Sequence, residues 1–288
     1  MIAGTGIGSL RHKIKNRAPK TMRQLSTRQI EDFIREGFVK IENAFPAGVA
    51  DACRAILWQA TGCDPDDPAT WTQPVIRIGE MGLPPFREAA NTPALYAAFD
   101  QLAGKGRWLP RTTLGSFPVR FPCPEPAGDT GWHVDASFPG AMPDDYLEWR
   151  INIRSKGRAL LMLFLFSDVS EHDAPTKIKA GSHLDVAGIL EPEGEEGLSF
   201  MELARRIDHL PAREEVLATG KAGTVYLCHP FIVHAAQEHR GMNPKFMAQP
   251  PLLTKKDFDI GRKESDLSPV EKAIVEGIRS SVARCRTF

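Results

Sequence analysis

Eight histidines occur in the 288-residue chain, and two of them are followed two positions later by a carboxylate. One pair lies in Trp132-His133-Val134-Asp135 and the other in Gly181-Ser182-His183-Leu184-Asp185. On a β-strand, residues two apart project from one face, so an imidazole and a carboxylate at this spacing can reach a single cation. A histidine from a neighbouring strand would complete the two-histidine, one-carboxylate triad that binds Fe(II) and leaves coordination positions open. Alone, the pair is weak evidence, because eight histidines in a chain with 36 acids yield about one such pair by chance. Trp132 and Phe138 surround His133 with large apolar groups, as a buried pocket requires, whereas Gly181-Ser182 reads as a turn and Asp185 as the start of a helix. The third histidine is expected about a hundred residues on, in Cys228-His229-Pro230-Phe231-Ile232-Val233-His234. Five apart on a straight strand, His229 and His234 face opposite sides. Pro230 cannot donate to a sheet ladder, so His229 belongs at an edge or bend. His234 is the preferred ligand and His229 the alternative. Lys245, on the next expected strand, offers a cation for the distal carboxylate of a chelating acid.

The elements that must position these side chains can be read from periodicity and punctuation. Apolar residues Ile30, Phe33 and Ile34 share one face of a helix over 27–36, capped by Ser26 and ended by Gly37. A short strand follows at 38–42, with further helices over 49–59 and 93–102. The middle of the chain turns β-like: 116–121, 159–166, 224–228, 231–235 and 246–249 are short, apolar or alternating, and bounded by turn residues. Residues 195–215 read as a polar helical insertion, placed within 184–218. Ser268, Pro269 and Glu271 form a capping box opening a C-terminal helix over about 268–284. The expected fold is mainly β with helices packed outside, forming one domain over 25–288 without internal repeats.

Composition narrows the function. Lys plus Arg number 36 against 36 Asp plus Glu, so no net field draws the chain to nucleic acid or anionic lipid. Seven of the basic residues lie among the first 30 positions with no acid, which marks residues 1–24 as a basic N-terminal extension. The longest apolar run, 159–166, is far shorter than the roughly 20 residues a membrane-spanning helix needs. Five cysteines without a Cys-x-x-Cys pair argue against a disulfide framework or thiolate zinc site and fit a reducing cytoplasm. Gly4-Thr5-Gly6-Ile7-Gly8 lacks dinucleotide-binding spacing, and there is no Walker loop, His-Glu-x-x-His or Gly-x-Ser-x-Gly motif. Residues 242–251, including Met247 and Gln249, are expected to end a strand rather than line a substrate entrance. The loop 139–146 is a candidate pocket wall.

Taken together, Trp132-His133-Val134-Asp135, a distal His234 after a His-Pro step, and a basic residue eleven positions beyond it resemble the phytanoyl-CoA dioxygenase family. The likeness extends to 25–46, to Asp173-Ala174-Pro175-Thr176 and to Ala180-Gly181-Ser182-His183, covering about residues 25–255. It implies a double-stranded β-helix (jelly-roll) fold and Fe(II)/2-oxoglutarate chemistry. By position, His133, Asp135 and His234 would hold iron. Lys245 would hold the distal carboxylate of 2-oxoglutarate, where the family usually has arginine, and Arg240 is the fallback cation. Arg120 and Ser116 fall on the strand that lines the cosubstrate pocket in relatives, and Ala236 replaces a frequent family serine. Asp135 fits hydroxylation better than halogen transfer, since related halogenases carry a small residue there. The implied reaction consumes O2 and 2-oxoglutarate, releases succinate and CO2, and oxidises a small organic substrate such as an acyl-CoA, an amino acid or a natural-product intermediate. Two other readings use the same residues: a non-catalytic β-helix binding protein, and a zinc hydrolase.

Overall fold

The computed structural model describes residues 24–285; the basic segment predicted at 1–24 lies outside them but for Gln24. Seven α-helices occur among the described residues: α1 (Thr27–Glu36), α2 (Ala47–Thr61), α3 (Pro84–Ala90), α4 (Pro93–Ala103), α5 (Ser182–Leu190), α6 (Phe200–Ile207) and α7 (Pro269–Cys285). The strands are β1 (Phe38–Ile41), β2 (Val75–Ile78), β3 (Phe117–Arg120), β4 (Arg150–Ile151), β5 (Arg158–Leu165), β6 (Lys177–Lys179), β7 (Leu198–Ser199), β8 (Glu215–Leu217), β9 (Val225–Cys228), β10 (His234–Ala235), β11 (Met247–Ala248) and β12 (Pro251–Leu253).

The major sheet runs β1-β9-β5-β11, with β12 also paired to β5, and the minor sheet runs β10-β6-β8. All of these pairings are antiparallel. The central strand β5 is buried at every position. Its alternate side chains Leu161, Leu163 and Leu165 pack with Ile178 of the minor sheet, Tyr226 and Met247. Those between them, Leu160, Met162 and Phe164, join the helical layer together with Phe33, Leu57 and Phe86. Burial on both faces explains why the sequence here is an unbroken apolar run rather than an alternating one. Phe45 lies 5.9 Å from Phe164 and 5.3 Å from Phe166 between ring centroids, tying the sheet to the helices.

Helix ends follow the sequence closely. Ser26 and Gln29 form a capping box on α1, and Gly37 closes it in the left-handed region at φ 84°. A Cβ at Gly37 would lie 2.5 Å from His183 Nδ1, so the position needs glycine for space as well as conformation. At α7, Glu271 accepts from the Ser268 backbone N–H at 2.8 Å, closing the predicted capping box. The same carboxylate is fully buried and also binds Arg107, Arg262 and the Asp259 N–H. The polar helix expected over 195–215 is shorter, because β7 and the capping box of Ser199 on Glu202 delay its start and Pro211 follows its end. The strand expected over 231–235 is confined to His234–Ala235, since Ile232 closes a turn onto the His229 carbonyl at 3.0 Å. No helix among the described residues is long and apolar enough to cross a membrane.

Burial opposes ionisation of Glu271, but hydrogen bonds from Arg107 and Ser268 outweigh it and lower its pKa from 4.5 to about 2. Its stabilisation is therefore complete above about pH 4.5 and fades as pH falls toward 2. Glu271→Ala should cost about 1–3 kcal/mol at neutral pH, since it removes the buried acceptor of the Ser268 N–H and of two partly exposed guanidiniums. Urea melts at pH 7 and pH 3 should show this difference narrowing in acid.

Candidate metal centre

His133 and His234 are brought together by the backbone. The His133 N–H donates to the His234 carbonyl at 3.0 Å and the His234 N–H donates back at 2.9 Å. This reciprocal bridge joins the loop before β4 to the short β10, which is itself held by Ile178 of β6. Asp135, two residues on, faces the same side, as strand geometry requires. One donor atom from each of His133, Asp135 and His234 lies within 4.8 Å of the other two. Asp135 Oδ1 is 3.7 Å from His133 Nε2 and 3.8 Å from His234 Nε2.

Both rings are oriented by backbone carbonyls two residues before them. His133 Nδ1 lies 2.9 Å from the Gly131 carbonyl and His234 Nδ1 lies 3.2 Å from the Ile232 carbonyl. Protonation at Nδ1 leaves each Nε2 lone pair directed at the shared space, the tautomer a metal ligand needs. Burial, then the neighbouring His133, lowers the His234 pKa to about 4. Burial alone would raise the Asp135 carboxyl, but Arg158, His234 and His133 outweigh it and hold it below the usual carboxylate range. A neutral imidazole at His234 beside an ionised carboxylate is the donor chemistry of a divalent transition-metal site with open positions. Gln249 places its side-chain amide 2.9 Å from His234 Nε2, on the cavity side, so this residue does more than end a strand.

The triad lies in a cavity of about 1060 Å3. Tyr146 and Phe200 form one wall; the Phe200 ring lies tilted 5.5 Å from the His133 ring and 5.6 Å from Tyr146 between centroids. Tyr146 comes from the loop marked as a candidate wall. Trp132 also lines the cavity, with Lys177 and Lys179 each 4.5 Å from its ring. The opposite wall carries Ser116, Arg120 and Lys245. Arg120 and Lys245 pair through backbone hydrogen bonds of 3.0 and 2.8 Å. Arg120 directs Nη2 at both Asp129 oxygens, 2.7 Å each, and Asp129 also binds Arg77. The buried Lys245 Nζ donates to the Ala174 carbonyl and has no salt-bridge partner among the described residues. Burial, then Arg120, depresses its pKa well below a usual lysine, with Asp129 opposing.

The other candidates lie elsewhere. His229 is fully buried, accepts from the Phe231 N–H and contacts the Val270 carbonyl of α7. His183 and Asp185 fall in the first turn of α5, His183 against the Ile34 carbonyl and Asp185 against Arg213. Arg240 is exposed and its backbone N–H donates to the His172 carbonyl, away from the cavity lining. Arg158 was not singled out in the sequence, yet it hydrogen-bonds Asp135 Oδ2 at 2.8 Å. Its one signal is a charge at the head of an otherwise apolar buried strand.

No protein-family model matches the chain, and no curated protein matches it in sequence. Solved structures are similar in fold. The non-heme alpha ketoglutarate dependent carbocyclase SnoK from nogalamycin biosynthesis aligns with TM-score 0.54 and 15% identity over 83% of this chain and 87% of that one. HygX from Streptomyces hygroscopicus, solved with nickel and 2-oxoglutarate bound, aligns with TM-score 0.50 and 18% identity over 79% and 86%. The epimerase SnoN from nogalamycin biosynthesis aligns with TM-score 0.50 and 19% identity over 77% and 80%. These likenesses and the sheet topology define the fold as a double-stranded β-helix with outer helices, as the sequence led us to expect.

Metal titration of purified protein separates the two distal histidines. His234→Ala should abolish binding of one Mn(II) per chain. His229→Ala should lower the melting temperature but keep that stoichiometry, as read by calorimetry.

Proposed function

We propose that the chain is an Fe(II)- and 2-oxoglutarate-dependent oxygenase that oxidises, by preference hydroxylates, a C–H bond of a small organic molecule. The observation that carries this reading is the convergence of His133, Asp135 and His234 at one point of a large cavity. Three protein donors with one carboxylate fit Fe(II) and leave room for a chelating keto acid. When bound, the metal with 2-oxoglutarate and O2 supplies the oxidising power, and succinate and CO2 leave beside the oxidised substrate.

The protein's part is geometry and a sheltered pocket. Lys245 is the residue for the distal carboxylate: an incoming anion would provide the countercharge its buried amine lacks. Ser116 and Arg120 line the same wall, with Arg120 shared with Asp129. Tyr146, Trp149 and Phe200 offer aromatic surface to the substrate and shield the metal side from water. The volume exceeds what a keto acid needs, so a second small molecule fits beside it. A zinc hydrolase would need a free general base, yet the other acids lining the cavity are engaged, Glu80 by Arg111 and Thr113 and Asp129 by Arg120 and Arg77. The same reading takes residues 25–288 as one oxygenase domain of the phytanoyl-CoA dioxygenase type, acting in a reducing cytoplasm without nucleic-acid or membrane partners.

Anaerobic addition of Fe(II) and 2-oxoglutarate should produce the weak visible charge-transfer band of the chelate. His133→Ala should lose it, and Lys245→Ala should weaken 2-oxoglutarate binding by about 10- to 100-fold, the loss of one charge-assisted contact. A metabolite screen should find a substrate that stimulates succinate formation. An intact band without turnover against any candidate would favour the binding-protein reading, and zinc-dependent ester or amide hydrolysis would favour the hydrolase.

A further inference from the structure

Asp135 has two oxygens, and the structure gives them different partners. Oδ1 faces the two imidazole Nε2 atoms at 3.7 and 3.8 Å. Oδ2 is held by Arg158 Nη1 at 2.8 Å. The second arm of the same guanidinium, Nη2, donates to the Ala136 carbonyl at 2.8 Å, so one planar fork grips the carboxylate and the backbone of the next residue. The Arg158 side chain is 8% exposed, which leaves it little freedom to release either bond. Its mounting is equally firm. Arg158 opens β5, its carbonyl accepts from Ser155 Oγ at 2.8 Å, and it pairs across the sheet with Leu253.

We propose that Arg158 is a positioning residue for the metal centre: by occupying Oδ2 it fixes Asp135 as a one-oxygen ligand and keeps a coordination position free for the keto acid. The inference rests on the metal-binding reading above. A free carboxylate beside a divalent cation can chelate it through both oxygens, which would consume one of the positions that 2-oxoglutarate and O2 require. A lysine would supply the charge without two parallel donors, so the fork matters as well as the charge. The clamp also compensates the anion for its partial loss of water beside His133 and the buried His234.

The test compares wild type with Arg158→Met and Arg158→Lys in the full chain. Three quantities are read: thermal unfolding, Mn(II) affinity by calorimetry, and 2-oxoglutarate affinity of the anaerobic Fe(II)-saturated protein from its visible band. Arg158→Met should bind metal about 10- to 100-fold more weakly, the usual effect of losing a partner behind a ligand. Its keto-acid affinity should fall as well at saturating metal. Arg158→Lys should recover part of the metal affinity while its keto-acid affinity stays reduced. A cooperatively folded Arg158→Met with wild-type metal and keto-acid affinities overturns the proposal, whatever its melting temperature. A loss of metal affinity with keto-acid affinity intact overturns the one-oxygen assignment. Should Arg158→Met fail to fold, Arg158→Lys decides, because wild-type values for both affinities there would show that the fork is dispensable. His133→Ala in the same assay keeps the two readings apart. If it still binds one metal ion, the metal centre itself is misassigned; if it binds none, a negative Arg158 result removes only the clamp.

Discussion

A carboxylate largely withdrawn from water beside one buried and one half-buried imidazole is costly unless a positive group accompanies it. Asp135 is in that position, with its side chain 14% exposed, and the positive group is the guanidinium of Arg158. The remaining architecture of the site follows from this pairing. Arg158 must emerge from a strand that does not move, and β5 is fixed on both edges by β9 and by β11 with β12. The imidazoles must then approach the free oxygen from the other side, which the backbone bridge between His133 and His234 achieves. Triad, clamp and central strand form one unit.

Charge on the far wall is arranged differently. Two guanidiniums, Arg77 and Arg120, share the single carboxylate of Asp129, while the amine of Lys245 lies buried beside them. That wall carries more positive than negative groups, so a dicarboxylate entering there meets a ready countercharge. Among the described residues, Asp129 is the acid paired with Arg120. Lys245 is joined to Arg120 by a pair of backbone hydrogen bonds, which keeps the amine and the guanidinium on one wall.

Much of the site was legible in the sequence because its geometry depends on spacing that chains display openly. A histidine and an aspartate two apart with apolar neighbours, and a distal histidine in an apolar segment, were enough to select the residues the fold brings together. Of His229 and His234, it is His234 that lies beside His133 and Asp135, and the parity of a straight strand is not what separates the two. A turn at 229–232 separates them and sends His229 into the helical layer. What stayed hidden were contacts made by long side chains across the fold. Arg158 at a strand start is indistinguishable in sequence from a solvated charge, and the shared grip of Arg77 and Arg120 on Asp129 joins positions with no common pattern. Helix α3 escaped because Pro84-Pro85 punctuates like a turn, although proline at a first helical turn is well tolerated. Helix α6 was overextended because polar residues with helical propensity continue past its end.

Strand β5 is eight residues long, with the guanidinium that grips Asp135 at its head and aromatic rings of the outer shell seated along one flank. Chemistry and scaffold therefore hang from a common beam. Loosening the shell, by thinning the ring cluster around Phe45, Phe164 and Phe166, would tilt that beam and be felt as drift at the far tip of an arginine. Packing far from the triad therefore bears on the placement of the arginine that grips Asp135.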